Sequence, residues 1–256
     1  MTLSVVIIVL NEESNIEPCL QAVGWADEIV VVDGGSTDRT VERARQFTPK
    51  VYKIPFRDFS SQKNEALDRA SCDWILFLDA DERVTAELAS EIQQTLRATD
   101  GNAAYAIGRH TYFFGKPLRF SGTREDYPIR LIPRGKAHFE QPVHETVMTP
   151  LPVLRLKNKL IHYSTRSPEH YRAKLECYIP LEARTLAEKG RRPRWTDLWL
   201  RPAAKFGYLY FWKLGILDGV TGLEYAAFSA YYGFLKYRYF YRSAHRTPAA
   251  QASSLV

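Results

Sequence analysis

The chain has 256 residues, of which 45% are hydrophobic and 25% charged, a composition typical of a globular protein. Its net charge of +6 is unevenly spread, because residues 1–151 carry −5 and residues 152–256 carry +11, which favours an anionic partner for the C-terminal third. The three cysteines (Cys19, Cys72 and Cys177) are odd in number and lack metal-ligand spacing, which argues against a disulfide framework or a zinc site and favours reduced thiols in a cytosolic protein.

Short apolar segments alternate with helical ones over the first 100 residues. The predicted strands are Ser4–Leu10, Glu28–Val32, Val51–Ile54 and Trp74–Leu78. The predicted helices run from Ser14 or Asn15 to about Val23, from Ser36, Thr37 or Asp38 through Phe47, from Ser60 to Ala70, and from Thr85 to Thr99. The alternation predicts an α/β fold with a parallel, doubly wound sheet. The first apolar run is too short for a secretory signal, and no basic segment precedes it.

The pattern changes after residue 100. The predicted strands there are 104–114, 129–133 and 153–162, and the predicted helices are about 168–189, 196–217 and 219–241. Pro180 is expected to kink or split the first of these helices. The expected domains are residues 1–165, with a donor half over 1–100 and an acceptor and catalytic half over 101–165, then a helical region over 166–242 and a disordered tail over 243–256.

Acidic residues follow three of the first four strands. Glu12 and Glu13 come after the first strand, Asp33 after the second, and Asp79 and Asp81 after the fourth. In an open α/β sheet, ligands bind at the carboxyl ends of the strands, so these acids mark a candidate site. Asp79 and Asp81 are two residues apart and would point to the same side of an extended chain, which suits Mg²⁺ or Mn²⁺ carrying a diphosphate. The plainer alternative is a solvated acidic turn that caps the next helix.

Four motifs stand in a fixed order in this region: Val6–Glu13, Val31–Asp38, Gln62–Asn64 and Leu78–Glu82. Together they resemble the inverting nucleotide-sugar transferases of glycosyltransferase family 2, which have the GT-A fold. A looser downstream pattern, with Arg130–Ile132, Phe139 and Val143–Glu145, is similar to one branch, the lipopolysaccharide core β-1,4-glucosyltransferases of the WaaE type. The likeness extends to about residue 240.

The resemblance implies roles for individual residues. Glu13 and Asp33 would hold the uracil and ribose of the donor, and Lys63 would lie near the uracil or the diphosphate. Asp79 would reach the ribose and the metal, and Asp81 would ligate the metal. The donor-binding set is Asn11, Glu13, Asp33, Lys63 and Asp79. A divalent cation would stabilise the departing nucleoside diphosphate, whose charge grows in the transition state.

An inverting transfer also needs a base that takes the proton of the acceptor hydroxyl. The resemblance favours Glu145 for this role, and Asp126 is the rival because family members often present the base in a Glu-Asp pair. His144 could be structural or functional. His162 ends a predicted strand and is a third candidate metal ligand, although a lone histidine there could equally be a packing or surface residue.

Aromatic and basic residues are interleaved between Trp195 and Arg242. Charged residues interrupt this stretch, so a membrane-spanning helix is not expected. Two interpretations stay open: the rings lie at headgroup depth in a membrane interface, or they pack against the catalytic domain or a second subunit.

The preferred interpretation is an inverting, metal-dependent hexosyltransferase that moves glucose from UDP-glucose onto the lipopolysaccharide inner core. It would lie in the cytoplasm, peripheral to an anionic inner membrane. One alternative keeps the fold and changes the acceptor to a protein, a peptide or a polyprenyl phosphate. The alternative from another class is a basic nucleic-acid-binding protein, although no recognised nucleic-acid motif is present.

Overall fold

The computed structural model describes residues 1–142 and 145–245. They form two compact units. The first comprises Met1–Tyr112 and Thr123–Ser164, and the second comprises Phe113–Gly122 and the described residues from Thr165 onward.

The first unit contains most of the strands. They are β1 (Leu3–Val9), β2 (Glu28–Asp33), β3 (Val51–Lys53), β4 (Trp74–Asp79), β5 (Glu82–Arg83), β6 (Ala104–Ala106), β7 (Arg109–Phe113), β9 (Ile129–Pro133), β10 (His138–Glu140), β11 (Thr146–Met148), β12 (Val153–Arg155) and β13 (Leu160–Thr165), while β8 (Lys116–Leu118) belongs to the second unit. The helices of the first unit are α1 (Glu13–Gln21), α2 (Thr40–Ala44), α3 (Phe59–Leu67) and α4 (Ala86–Ala98).

Seven of these strands form one sheet in the order β12-β6-β9-β4-β1-β2-β3. β1 lies between β4 and β2 and is parallel to both, whereas β9 is antiparallel to β4 and β6. Val5, Val6 and Ile7 of β1 are completely buried, and each such side chain contributes about 1.5–3 kcal/mol to the free energy of unfolding. The mostly parallel sheet with flanking helices confirms the predicted fold class.

The helices beside the sheet begin where the sequence supplies a cap. The Asp58 side chain accepts a hydrogen bond from the Ser61 backbone N–H at 2.8 Å and starts α3. The Thr85 hydroxyl accepts one from the Leu88 backbone N–H at 3.2 Å and starts α4. α4 buries Leu88, Ile92 and Leu96, which are four residues apart and therefore share one face. These caps fix the helices that flank β4.

Two strands are shorter than predicted. The segment 104–114 divides into β6 and β7 at Gly108, where a Cβ would lie 2.8 Å from the Tyr127 ring. The segment 153–162 divides into β12 and the start of β13, because the Glu91 carboxylate accepts hydrogen bonds from the backbone N–H groups of Lys157 and Asn158. The hairpin of β10 and β11 and the short strand β5 are absent from the predicted set.

Three helices of the first unit also differ from their predicted bounds, and one of them, α3, ends at Leu67 rather than at Ala70. α1 begins at Glu13, before the predicted caps Ser14 and Asn15. α2 ends at Ala44 rather than Phe47, because the following residues form turns, such as the bond from the Phe47 N–H to the Ala44 carbonyl.

The second unit is mainly helical, with α5 (Pro168–Glu188), α6 (Asp197–Gly207) and α7 (Gly219–Ala244). Its interior contains an aromatic cluster in which the Phe228 ring lies 5.8 Å from that of Phe113 and 5.0 Å from that of Tyr171. Part of the aromatic stretch therefore forms core. Within the described ranges, no helix combines the length and the apolar composition needed to cross a bilayer.

Helix boundaries in this unit differ from prediction. α5 is not split at Pro180, since Ile179 and Ala183 are buried on both sides of it. The helix predicted over 196–217 ends at Gly207 and continues as a π turn (Tyr208–Trp212) and a 3₁₀ turn (Gly215–Asp218). α7 extends to Ala244, into the predicted tail, and residues 246–256 lie outside the described residues.

Candidate active site

Sheet register brings the acidic strand ends of the first unit together. Val9 of β1 is level with Asp33 of β2, and Ile8 is level with Asp79 of β4. Asp33 is fully buried and accepts hydrogen bonds from the backbone N–H groups of Gly35 at 3.2 Å and Ser36 at 3.0 Å. Asp33 and Asp79 therefore lie at the same end of the sheet, at the carboxyl ends of the two strands that pair with β1.

Asp79 is held by two cations. Its carboxylate lies 2.6 Å from Arg130 Nη2 and 3.4 Å from Lys63 Nζ. Loss of solvent alone would raise the pKa of Asp79, but the positive charges of Arg130 and Lys63 outweigh it and hold the pKa well below its usual range. Asp79 is therefore ionised at neutral pH.

Lys63 joins Asp79 to the favoured base. The Lys63 side chain is 3% exposed, lies against the rings of Phe77 and Phe139, and forms an ion pair with the Glu145 carboxylate. A buried ammonium needs such partners because burial without them is costly. Lys63, Asp79 and Glu145, which the sequence assigns to the donor site and the base, thus lie together.

The hairpin of β10 and β11 positions Glu145. The Asn64 side chain of α3 donates to the Phe139 carbonyl at 2.9 Å and accepts from the Phe139 N–H at 2.7 Å. This pair of bonds ties β10 to the helix that carries Lys63. Glu145 directly precedes β11, while the neighbouring candidate His144 lies outside the described residues.

Arg130 is the functional candidate that the motif analysis did not assign. It is 4% exposed, and its Nη2 lies 2.6 Å from Asp79 and 2.5 Å from Glu82. Its buried Nε has no hydrogen-bond partner among the residues that the structure describes. Burial alone would lower the pKa of Arg130, but Asp79 and Glu82 raise it above its ordinary value, so the guanidinium stays charged. A charged residue inside the apolar strand β9 is the signal that could have revealed it.

The rival base Asp126 occupies the far side of the same network. Its carboxylate lies 2.7 Å from Arg109 Nε and 2.5 Å from Arg109 Nη2. Arg109 Nη1 in turn lies 3.3 Å from Glu82, which Arg130 also binds. Asp126 is therefore linked to Asp79 through alternating charges rather than by direct contact.

Asp81 and His162 form a separate pair. β13 is antiparallel to β5, and His162 is level with Glu82, which brings His162 Nε2 to 3.7 Å from the Asp81 carboxylate. Both side chains are largely buried, and His162 Nδ1 has no hydrogen-bond partner within the described part of the chain. A carboxylate beside an imidazole is a donor set that suits a divalent cation.

The predicted three-ligand metal centre is not assembled. Among residues 1–142 and 145–245, no three His, Cys, Asp or Glu side chains are grouped to hold a metal. Asp79, the third predicted ligand, is instead engaged by Arg130 and Lys63.

The remaining donor candidates, Asn11 and Glu13, lie at the start of the chain's first crossover. Asn11 adopts a left-handed backbone with φ 54°, and its side-chain oxygen accepts from the Thr37 N–H at 2.8 Å. Glu13 binds Arg39 at 2.7 Å and Arg43 at 3.1 Å. Hydrogen bonds from Arg39 lower the pKa of Glu13. Asn11 thus binds the loop that follows Asp33. Glu13 is engaged with Arg43 of α2 and with Arg39, the residue just before that helix.

The chain is similar in sequence to known glycosyltransferases. The model of the family described as Glycosyl transferase family 2 matches residues 4–157. The lipopolysaccharide core biosynthesis glycosyltransferase LpsC of Rhizobium meliloti (strain 1021) is 31% identical over 245 residues, which cover 90% of this chain and 91% of that protein. Glycosyltransferase SunS of Bacillus subtilis (strain 168) is 28% identical, over 76% of this chain and 47% of SunS.

Solved structures match over a smaller region. Glucosyl-3-phosphoglycerate synthase from Mycobacterium tuberculosis, solved with Mn²⁺ and UDP-glucose, is 26% identical with a TM-score of 0.37, over 43% of this chain and 44% of that one. The chain thus spans less than half the length of that structure. The family match and the relative LpsC decide the assignment: the chain belongs to glycosyl transferase family 2, has its GT-A fold, and is a nucleotide-sugar-dependent glycosyltransferase.

Proposed function

We propose that this chain transfers glucose from UDP-glucose, with inversion, to a sugar of the lipopolysaccharide inner core. The acceptor class is supported by the likeness to LpsC along nearly the whole chain. Such an acceptor is anchored in lipid, so the proposed location is the cytoplasmic face of the inner membrane. The same fold could serve a protein, peptide or polyprenyl-phosphate acceptor, and an acceptor screen distinguishes these.

One observation carries the proposal. Lys63, a buried cation, lies between Asp79 at the end of β4 and the carboxylate of Glu145. Asp33 and Asp79 at the sheet edge are suited to the ribose and base of a nucleotide, and Lys63 and Arg130 supply positive charge for a diphosphate. The site therefore combines anion recognition with a carboxylate that can accept a proton.

Glu145 is the proposed base. It takes the proton of the acceptor hydroxyl, whose oxygen forms a bond to the anomeric carbon on the face opposite the diphosphate. The bond from that carbon to the diphosphate oxygen breaks, and its electron pair leaves with UDP. In the structure Glu145 is paired with Lys63. A bound diphosphate competes for Lys63 and so leaves Glu145 available to the acceptor.

Asp81 and His162 are the proposed holders of a divalent cation, and Asp79 lies two residues before Asp81. His162 Nε2 and the Asp81 carboxylate, which lie 3.7 Å apart, supply one nitrogen and one oxygen ligand for such an ion. When bound, it would neutralise charge on the departing diphosphate. Mg²⁺ and Mn²⁺ commonly bind through one or two protein carboxylates, with substrate phosphates completing the shell, so two protein ligands suffice.

Donor-induced thermal stabilisation tests the metal and donor assignments without turnover. UDP-glucose with Mn²⁺ should raise the melting temperature of the wild-type protein, and EDTA should remove most of the increase. Asp81→Asn should abolish the metal-dependent part, whereas the matched control Asp68→Asn, an exposed carboxylate after α3, should behave as wild type. An unchanged shift in Asp81→Asn would contradict the metal assignment. If another nucleotide sugar raised the melting temperature and UDP-glucose did not, the proposed donor would be wrong.

A further inference from the structure

The second unit carries a concentration of exposed apolar side chains between residues 195 and 220. Trp212 is 79% exposed, Leu200 67%, Trp195 66% and Leu217 61%. Exposed apolar residues scattered singly are ordinary, but a concentration of this size on a soluble surface marks an interaction site. Outside residues 195–239, the exposed large apolar side chains of the described chain are Met1, Met148, Val153 and Leu154.

The turn that displays these side chains is held in a defined shape. The Asp218 carboxylate accepts hydrogen bonds from the backbone N–H groups of Arg119 at 2.9 Å and Phe120 at 3.0 Å. The Ser121 N–H donates to the Lys213 carbonyl at 2.9 Å. The turn between α6 and α7 is thereby fixed within its own unit by a network of backbone bonds.

Close packing and strain reinforce this shape. A Cβ on Gly215 would lie 2.7 Å from Ser121 Oγ, and one on Gly222 would lie 1.9 Å from the Gly215 carbonyl oxygen. Leu214 adopts a left-handed backbone with φ 57°, which costs about 1 kcal/mol for a residue with a side chain. Strain of this kind persists only where the surroundings impose it. The outward display of Trp212, Leu214 and Leu217 is thus built into the fold.

Positive charges predominate in the stretch that forms this surface. Residues 191–223 contain six Lys or Arg and two Asp. Both acids are engaged, since Asp197 binds Arg201 at 2.6 Å and Asp218 caps the backbone N–H groups above. The surface therefore presents apolar groups bordered by cations.

The combination of exposed apolar side chains and neighbouring cations indicates which kind of partner would bind this surface. A symmetric contact with a second copy would bring two cationic surfaces together, which is unfavourable. A nucleic acid would satisfy the cations but not the aliphatic side chains of Leu200, Leu214 and Leu217. An anionic bilayer satisfies both, because tryptophan and leucine enter the headgroup boundary while Lys and Arg stay beside the phosphates.

We propose that residues 195–220 form a docking face that binds the headgroup region of an anionic membrane. This deepens the proposed function, and rests on it only for the lipid-anchored acceptor. The face would confine the enzyme to the leaflet that holds its acceptor and so raise the effective acceptor concentration.

Vesicle binding tests the docking face without any turnover, so it can fail separately from the proposed function. Full-length protein is floated with phosphatidylcholine vesicles that contain or lack phosphatidylglycerol, at low and high salt. The wild type should bind only the anionic vesicles and be released by salt. The double variant Trp212→Ser/Leu217→Ser should bind roughly tenfold or more weakly. The matched control Leu154→Ser, an exposed leucine of the first unit, should bind like the wild type.

Two further measurements complete the experiment. Tryptophan fluorescence should be quenched by lipids brominated near the headgroup in the wild type, because three of the five tryptophans lie at positions 195, 199 and 212. Sedimentation should give the same mass for the wild type and the double variant. Equal vesicle binding by both proteins, or no binding by either, would overturn the proposal. A wild-type dimer that the double variant dissociates would make this face a subunit interface instead.

Discussion

At the scale of single residues, the candidate active site is a row of alternating charges. The row links the two candidate bases, one at each end, through buried and partly buried cations and carboxylates. In order, its members are Glu145, Lys63, Asp79, Arg130, Glu82, Arg109 and Asp126. Because each group stabilises its neighbours, substitutions at two adjacent members should not be additive. The two candidate bases are therefore coupled through the site even though they do not touch.

Arg130 is the member on which the row depends most. Arg130→Met should lower the free energy of unfolding by about 3–5 kcal/mol, since Asp79 and Glu82 would keep their charges without their common partner. Urea unfolding measures the difference. Arg134→Met removes an exposed arginine just after the same strand and should change stability by less than about 0.5 kcal/mol. Equal stability of the two variants would show that the row is not a structural unit.

Glu28 gives a pH dependence whose sign can be worked out. Burial alone would raise the pKa of Glu28, but Lys50, Ser4 and Ser71 outweigh it and hold the pKa at about 2. A depressed folded-state pKa adds stability above the unfolded pKa, and this stability is lost as pH falls from the unfolded value near 4.5 toward 2.

Unfolding measured from pH 6 to pH 2.5 checks this expectation. Glu28→Gln should be less stable than the wild type by about 2–3 kcal/mol at neutral pH and should lose less stability on acidification. Glu65→Gln, at an exposed carboxylate of α3, should keep the wild-type profile. A Glu28→Gln profile parallel to that of the wild type would contradict the assignment.

At the scale of secondary-structure elements, the sequence predicts the part of the fold where pattern and burial agree. The strands β1, β2 and β4 are apolar runs buried on both faces, and their predicted bounds differ by at most one residue from those observed. The breaks at Gly108 and after Arg155 were missed, because they depend on Tyr127 and Glu91, which contact these segments from elsewhere in the chain.

In the candidate site, too, local sequence patterns could be predicted and contacts between distant residues could not. The acids at strand ends could be read from motifs, as could Lys63. The partners that neutralise them could not, because Arg130 reaches Asp79 from β9 and Arg109 reaches Glu82 from β7, and both strands are distant from these acids in sequence. Long-range ion pairs leave no local periodicity, and the pairing of β9 with β4 is what brings Arg130 to the site.

Substituting two glycines of α7 distinguishes the effect of close packing on stability from the effect of helix propensity. Gly222→Ala should destabilise the second unit by about 1–3 kcal/mol, because its Cβ would lie 1.9 Å from the Gly215 carbonyl oxygen. Gly233→Ala should stabilise it by about 0.5–1 kcal/mol, since the nearest atoms of Pro202 are 3.9 Å away and alanine favours a helix. Thermal unfolding of both variants checks the pair. Shifts of the same sign would contradict the packing described between α7 and the turn before it.

At the scale of the whole molecule, the two units differ in charge and in the chemistry they carry. The first unit, with 18 Lys or Arg against 22 Asp or Glu, contains the proposed donor site, the candidate metal ligands and both candidate bases. The second unit, with 17 Lys or Arg against 7 Asp or Glu, contains the proposed docking face. Donor chemistry and membrane attachment should therefore be separable by substitution, since no residue proposed for one belongs to the unit proposed for the other.

The most direct test of the central claim measures transfer itself. With saturating UDP-glucose and a lipopolysaccharide core acceptor, the wild type should form a β-linked product, as inversion of the α-linked donor requires. Glu145→Gln should keep its donor-induced thermal stabilisation and lose transfer by roughly 10²–10⁴-fold, the usual effect of removing a general base. Asp126→Asn should retain most of the activity. An α-linked product, or an active Glu145→Gln beside an inactive Asp126→Asn, would contradict the account.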